Sequence, residues 1–171
     1  MLRLGWFVFG VVTTCVVLAL GAYFYVKEGG VRMAVDSPEQ PFEAAVAKMA
    51  LHASFANSLG LSSPAAVTDE NLAAGGQVYK SHCAGCHGSP GKPSGMAKRM
   101  FPPPPQLLEP NAMVPHAPVG ETYWKVTNGI RLSGMPEFKS RLSDTERWQV
   151  TLLLKHADKL PPAAEATLSA H

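Results

Sequence analysis

An uncharged stretch near the amino terminus places the strongest constraint on how this chain can fold. Residues 4–26 contain no charged side chain, and a helix of that length spans roughly 34 Å at about 1.5 Å per residue. A bilayer core is about 30 Å thick. Trp6, Tyr23 and Tyr25 lie near the two ends of the stretch, where amphipathic rings favour the headgroup zone. The stretch therefore predicts one uncleaved transmembrane anchor.

A cleaved signal peptide is the main alternative to an anchor. Its apolar region is usually about 7–15 residues long and ends in a small-x-small site, whereas this stretch is longer and runs into Val26-Lys27-Glu28. Lipid attachment at Cys15 is a weaker alternative, because the two threonines before it match a lipidation box poorly. Basic residues flank both ends of the stretch, so they do not determine its orientation.

The remainder of the chain has the composition of a water-soluble domain without a nucleic-acid-binding pattern. The formal net charge of the chain is only +2, and no run of Lys and Arg is interleaved with stacking aromatics. Residues 88–118 are rich in proline and include Pro102 to Pro105. So long a loop is uncommon in a compact domain without a functional reason, and wrapping a cofactor is one such reason.

Capping signals predict helices in this domain. Thr68 is a good N-cap, and the acidic pair after it favours the positive end of a helix that should run into Cys83. A short helix is expected over residues 121–127, ended by Asn128-Gly129. No stretch alternates convincingly as a strand would, so we predict an all-α domain.

The last helix should begin at a capping box formed by Ser143 and Glu146 and continue to Pro161. It is apolar on two sides and therefore needs two buried contacts. We expect the first helix to supply one contact and the cofactor the other. The two apolar sides consist of Val150, Leu153, Leu154 and Ala157 on one and of Trp148 and Leu152 on the other.

Residues 27–67 read as a juxtamembrane linker with one short helix within 41–59. Its apolar stripe at helical spacing consists of Phe42, Val46, Met49 and Ala53. Two interpretations stay open for this helix. It packs on the domain or lies at the membrane surface, or it is a docking helix for a partner subunit.

The sequence Cys83-Ala84-Gly85-Cys86-His87 carries the most specific chemistry. Two thiols at this spacing can form thioether bonds to the vinyl groups of one haem, and His87 then follows as the proximal iron ligand. A zinc half-site would need a second ligand pair, and a thioredoxin-like redox pair would need a βαβ pattern, neither of which the sequence contains. The sequence thus predicts covalent haem c.

The second axial ligand should come from later in the chain. Met135, in Gly134-Met135-Pro136, lies on a loop between two predicted helices, and Pro136 stiffens the exit. A thioether in this position raises the reduction potential, which suits an electron carrier. We predict Met135 as the distal ligand. The alternatives are an open site or one of four other residues, Met96, Met100, Met113 and His116.

Gly75 and Tyr79 precede Cys83 at four-residue intervals and so share one helix face. A glycine inside a helix costs about 1 kcal/mol relative to alanine, which is tolerable where another helix must approach closely. We expect the last helix to cross the first at Gly75. The alternative is that Gly75 and Gly76 only weaken the first helix.

These motifs together resemble class I c-type cytochromes, most closely the membrane-anchored mono-haem cytochromes of bacterial respiratory chains. The features that carry the resemblance are the Gly75, Tyr79 and CxxCH helix, the loop from Thr127 to Pro136, and the capped last helix with Trp148. The resemblance covers about residues 68–160. It implies a small helical bundle around one covalent haem, with Met135 as the distal ligand, and one-electron transfer. The tract from Phe101 to Pro105 is also similar to a segment of mono-haem subunits in quinol-oxidising respiratory complexes.

The sequence therefore predicts four parts: an anchor over 4–26, a linker over 27–67, a mono-haem cytochrome c domain over 68–162 and a tail over 163–171. Haem is attached to cytochromes of the resembled family outside the cytoplasmic membrane. The resemblance therefore implies a single-pass protein of a bacterial cytoplasmic membrane, with a cytoplasmic amino terminus and a periplasmic or otherwise extracytoplasmic haem domain.

The expected activity is that of an electron carrier rather than an enzyme. Its redox partners would be a quinol-oxidising complex or dehydrogenase and a terminal oxidase. The alternatives are a fixed haem subunit of a larger membrane oxidoreductase and a haem-based sensor of small ligands, against which a firmly bound Met135 argues. Basic residues in the loops form either a docking face for an acidic partner or ordinary surface charge. They are Lys92, Lys98, Arg99, Arg131, Lys139 and Arg141.

Overall fold

The computed structural model describes residues 2–109 and 111–169. Met1 of the predicted cytoplasmic terminus and Ala170 and His171 of the predicted tail lie outside the described residues, as does Pro110. The α-helices are α1 (Leu2–Lys27), α2 (Glu43–Phe55), α3 (Asp69–His82), α4 (Ala84–His87), α5 (Val119–Asn128), α6 (Asp144–Lys155) and α7 (Pro162–Ser169). Short 3₁₀ turns cover Ala56–Ser58, Ala97–Arg99 and Val114–His116. Within the described ranges there is no strand, which confirms the all-α prediction.

Helix α1 contains 26 residues and covers the predicted anchor. It is long and apolar enough to cross a membrane, by length and composition only, a test that a signal sequence near the amino terminus also passes. Its side chains from Arg3 to Lys27 are exposed, as Phe7 and Leu18 illustrate. The chain divides into two compact units, residues 1–44 and 45–171, and α1 belongs to the first.

Helices α3 and α6 form the centre of the second unit. The hydroxyl of Thr68 caps α3 by accepting from the backbone N–H of Asn71 at 3.2 Å, as predicted. At Gly75, an added Cβ would lie 2.7 Å from the carbonyl carbon of Gln149 and 3.1 Å from the Cβ of Leu153. The backbones of the two helices thus approach so closely at this position that only glycine fits, which confirms the predicted crossing.

Helix α6 begins at the predicted capping box, in which Ser143 and Glu146 satisfy each other's backbone N–H groups. It ends at Lys155, earlier than the expected Pro161, because the N–H of His156 is shared between the carbonyls of Leu152 and Leu153 at 3.1 Å each and tightens the last turn. Helix α6 lies against α3, α5 and the 3₁₀ turn at Val114–His116, so several protein elements cover it.

The segment that was expected to be a tail is largely helix α7, which packs on α3. Ala164 and Leu168 are buried in the core, one helical turn apart. Pro162 occupies the first helical position, where its missing N–H costs nothing. The core of the domain therefore extends beyond residue 162.

The linker reaches the domain through its carboxyl-terminal end. Phe55, the last residue of α2, is buried, with its ring 6.3 Å from that of Trp124 and the Lys125 ammonium 5.2 Å from its centroid. The predicted stripe is not the packed face, because Val46 and Met49 are more than half exposed and Phe42 precedes the helix. Of the interpretations left open for the linker helix, packing on the domain is therefore observed at its last residue, Phe55.

Candidate functional site

The CxxCH turn (residues 83–87) continues directly from α3. The N–H of Cys83 donates to the carbonyl of Tyr79 at 2.8 Å, and the N–H of His87 donates to the carbonyl of Cys83 at 2.9 Å. Cys83 and Cys86 are free and half-buried, and they form no disulfide with each other. One helical turn therefore presents two thiols and an imidazole with a shared, locally determined geometry.

The imidazole of His87 is oriented by the long proline-rich loop. Its Nδ1 lies 2.7 Å from the carbonyl oxygen of Pro105. A carbonyl only accepts, so Nδ1 carries the proton and Nε2 keeps its lone pair for a metal. Burial lowers the pKa of His87, and the bond to Pro105 opposes this shift. Burial therefore favours the neutral form of the ring, the form in which an imidazole can bind a metal.

The surroundings of Cys83 fit a thioether better than a thiolate. Burial, and secondarily the charge of Cys86, raises the pKa of the Cys83 thiol to about 12. Cys83 packs against the hydrophobic core, as Ala84 and Leu107 also do. A thioether is uncharged and incurs no such desolvation cost. With two thiols and a neutral histidine beside apolar packing, these residues fit covalent haem c.

Met135 lies on the methionine loop (residues 130–142) between α5 and α6. It is half-buried and packs against the same core cluster as Cys83. Of its predicted rivals, Met113 is 85% exposed, Met96 is 55% exposed and His116 is also exposed. Met100 is half-buried and lies against Gly134. The structure thus brings Cys83 and Met135 to one cluster, while the identity of the distal ligand stays a prediction.

Comparison with known proteins agrees with this arrangement. Residues 70–153 match the family model described as cytochrome c oxidase, cbb3-type, subunit III. Cytochrome c6 of Leptolyngbya boryana is 38% identical over 92 residues, which cover 52% of this chain and 96% of that protein. This chain belongs to the class I c-type cytochromes. No solved structure shows significant similarity to it.

Membership of the class I c-type cytochromes determines the cofactor and the general activity. Cytochromes of this class carry covalent haem c with iron, and the CxxCH turn agrees with such an attachment. The activity is haem-based electron transfer, and the partners are redox proteins in general. The matched residues lie within α3 to α6, which are the elements that position the candidate site.

A hydrogen bond that the sequence does not reveal connects α3 to the end of the CxxCH turn. The hydroxyl of Tyr79, whose side chain is fully buried, donates to the carbonyl of Gly88 at 2.8 Å. Burial raises the pKa of Tyr79, so the phenol stays protonated and remains a donor. The four-residue spacing places Tyr79 on the same face of α3 as Gly75, but no local sequence pattern indicates that its hydroxyl bonds to Gly88.

The loop after the turn adds further contacts that sequence reasoning missed. The hydroxyl of Ser94 donates to the carbonyl of Gly85 at 2.6 Å, and the N–H of Ser94 donates to Oε1 of Gln106 at 3.3 Å. The sulfur of Met96 lies 3.7 Å from that of Cys86. Serine and glutamine are frequent in loops, so their presence alone carries no signal for these roles.

Proposed function

We propose that this cytochrome is a membrane-tethered one-electron carrier whose haem iron is bound by His87 and Met135, with thioether bonds to Cys83 and Cys86. The observation that carries the proposal is that the CxxCH turn and Met135 border one apolar core cluster. Haem c supplies reversible Fe(III)/Fe(II) exchange, and a histidine with a thioether ligand favours the raised potential of a carrier.

The protein's contribution is to hold the ligands still while the charge on the site changes. Pro105 fixes the ring of His87 through the hydrogen bond at Nδ1. The fully buried Tyr79 fixes the backbone at Gly88, the residue after His87, through its hydroxyl. Met135 reaches the same core cluster from the methionine loop, which is separate from the CxxCH turn. Because the core around these groups is apolar and close-packed, few polar groups need to reorient on electron transfer.

Absorption spectra of the detergent-solubilised protein test the ligation. Oxidised wild type should show the weak near-infrared sulfur-to-iron band, and the reduced form should not bind carbon monoxide. Met135→Ala should lose the band and bind carbon monoxide, whereas Met113→Ala, at a position 85% exposed, should behave as wild type. A wild type that lacks the band and binds carbon monoxide would instead favour a haem-based sensor.

The tether is proposed to be residues 4–26, with the amino terminus in the cytoplasm and the haem domain in the periplasm of a bacterial cytoplasmic membrane. Helix α1 has the required length and composition. The intact mass of the mature protein distinguishes an anchor from a cleaved signal. Protease added to right-side-out spheroplasts should then remove the haem domain, and in inverted vesicles it should leave that domain intact.

The proposed partners belong to a respiratory chain, with a quinol-oxidising complex or dehydrogenase as donor and a terminal oxidase as acceptor. The basic side chains of the loops are exposed and would suit an acidic docking surface. They are Lys92, Lys98, Arg99, Arg131, Lys139 and Arg141. The rate of partner reduction should fall as ionic strength rises, and an unchanged rate would reject this docking face.

A fixed haem subunit of a larger membrane oxidoreductase is the second candidate. It is favoured by the match of residues 70–153 to a family model named for an oxidase subunit. Mild detergent extraction followed by native electrophoresis with haem staining distinguishes the two. A free carrier should migrate near its own mass of 18.2 kDa plus detergent, and a subunit should migrate with a large complex.

A further inference from the structure

The methionine loop closes on itself through short-range bonds. The N–H of Ile130 donates to the carbonyl of Met135 at 3.2 Å, and the hydroxyl of Ser133 donates to the carbonyl of Ile130 at 2.7 Å. Its tip faces solvent, since Leu132 is 91% exposed. These bonds shape the loop, but they do not attach it to the rest of the domain.

Attachment to the domain begins on the carboxyl-terminal side of the loop. The N–H of Phe138 donates to the carbonyl of Val126 at 3.2 Å, and the N–H of Lys139 donates to the carbonyl of Thr127 at 3.3 Å. Phe138 and Leu142 are buried in the core. The position of Met135 therefore depends on how firmly this returning segment is held.

Arg147 of α6 holds this segment by hydrogen bonding to its backbone carbonyls. Its Nη1 donates to the carbonyl of Leu142, the last residue of the loop, at 2.9 Å and lies 3.5 Å from the carbonyl of Lys139. Its Nη2 donates to the carboxylate of Asp144 at 2.8 Å and lies 3.4 Å from the hydroxyl of Tyr123. The Arg147 side chain is only 12% exposed. One guanidinium therefore connects α5, α6 and the end of the loop.

The partners of Arg147 are themselves held in place. The ring of Tyr123 stacks on that of the buried Trp148 at 3.8 Å and 11°, and its hydroxyl donates to Asp144. The guanidinium carbon of Arg147 lies 5.9 Å from the centroid of the Tyr123 ring. Charge-assisted hydrogen bonds to fixed partners are stronger than neutral ones. The guanidinium of arginine presents five donors in a rigid planar fork, whereas the ammonium of lysine is a compact point charge with three donors.

We propose that Arg147 is a positioning residue that latches the methionine loop and so keeps added ligands away from the distal side of the iron. The inference rests on the proposed ligation by Met135. A competing ligand can bind only when the loop opens, and its apparent affinity rises in proportion to the open fraction. Loss of the latch should raise that fraction without altering the bond between iron and sulfur in the closed state.

Imidazole titration of the oxidised, full-length cytochrome in detergent tests the latch. Arg147→Leu should bind imidazole about tenfold more tightly than wild type, which corresponds to about 1.4 kcal/mol. Arg147→Lys should fall between them. Arg141→Leu is the matched control, because it also removes one positive charge, but from an exposed side chain of the methionine loop. In the absence of imidazole, all variants should retain the sulfur-to-iron band.

The outcomes separate the latch from the ligation on which it rests. If the wild type shows the band but Arg147→Leu and Arg141→Leu bind imidazole equally, the latch is rejected and ligation by Met135 stands. If the wild type lacks the band, ligation by Met135 and the latch fall together. Tyr123→Phe preserves the stacked ring and removes only its hydroxyl. It replaces Arg147→Leu in the titration if that variant does not fold. It should tighten imidazole binding about threefold, and an unchanged affinity would reject the latch.

Discussion

The CxxCH turn and the methionine loop contribute to one site, but they are built in different ways. The turn is an extension of α3, and its backbone bonds join residues three or four apart, such as Cys83 to Tyr79 and His87 to Cys83. The loop leaves α5 at Gly129 and is tied to the domain by bonds between residues farther apart in sequence, such as Phe138 to Val126 and Lys139 to Thr127. Its tip at Leu132 is open to solvent.

Because of this difference, the two sides of the site should open under different conditions. Locally bonded structure that continues a packed helix opens only with that helix, whereas a loop with few long-range ties opens in partial unfolding events. We therefore expect the histidine side of the site to persist under conditions that release the methionine side.

Removal of both thiols should produce the largest effect. Cys83→Ala combined with Cys86→Ala leaves no side chain in the CxxCH turn to form a thioether, so haem should be lost on acidified-acetone extraction. Met135→Ala should keep its haem under the same extraction. Retention of haem by the double variant would contradict attachment at this turn.

Gly75→Val should strongly destabilise the platform from which the turn extends. The added side chain would overlap the backbone of Gln149, which cannot move without separating α3 from α6. The free energy of unfolding in denaturant should fall by about 3 kcal/mol. Gly95→Val is the control, because nothing lies within 4 Å of a Cβ at that position. Equal losses in the two variants would argue against the crossing.

Tyr79→Phe should have a moderate effect on the histidine side alone. It removes the donor to the carbonyl of Gly88 and leaves that carbonyl without its 2.8 Å partner. The free energy of unfolding should fall by about 1–2 kcal/mol. If the two sides are independent, imidazole affinity should stay at the wild-type value. A tenfold change in that affinity would show that the two sides open together.

Asp144 should add a small acid-dependent contribution on the methionine side. The hydroxyl of Tyr123, and then Arg147, hold the pKa of this carboxyl below its usual value. A lowered pKa in the folded state stabilises the protein above the unfolded value of about 3.9, and this stability is lost as the pH falls through the folded pKa. The effect should be slight, because the side chain is 60% exposed.

Denaturant midpoints of wild type and Asp144→Asn measure this contribution. The wild type should be slightly more stable near pH 6, and the gap should shrink as the pH falls below the unfolded value of about 3.9 toward the lower folded pKa. A gap that stays constant over this range would mean that Asp144 contributes nothing through its charge. Glu165→Gln on α7 controls for the general effect of removing a carboxylate.

Much of the fold was accessible from short-range patterns. The cap at Thr68, the capping box of Ser143 and Glu146, and the crossing at Gly75 follow from residues within a few positions of each other or from one missing side chain. Helix α7 was missed, because eight residues after a proline pair carry too weak a periodic signal. Its burial depends on the surface that α3 offers.

The linker shows the limit of periodicity in the same way. Phe42, Val46 and Met49 recur at helical spacing, yet they are exposed, and the buried residue is Phe55. Periodicity identifies a helix and its apolar positions, but it does not identify which of them meets a neighbour. That choice was made by the position of Trp124 on α5.

Residue types at short, regular spacing were enough to predict the helical class, the anchor-like composition of residues 4–26 and the motif that takes haem. Tertiary packing was needed to reveal that Pro105 orients His87, that Tyr79 reaches Gly88, and that Arg147 reaches Leu142 at the end of the methionine loop. These contacts join residues that packing brings together. A backbone carbonyl is available at every position of the chain, so its use as a partner leaves no mark in the sequence.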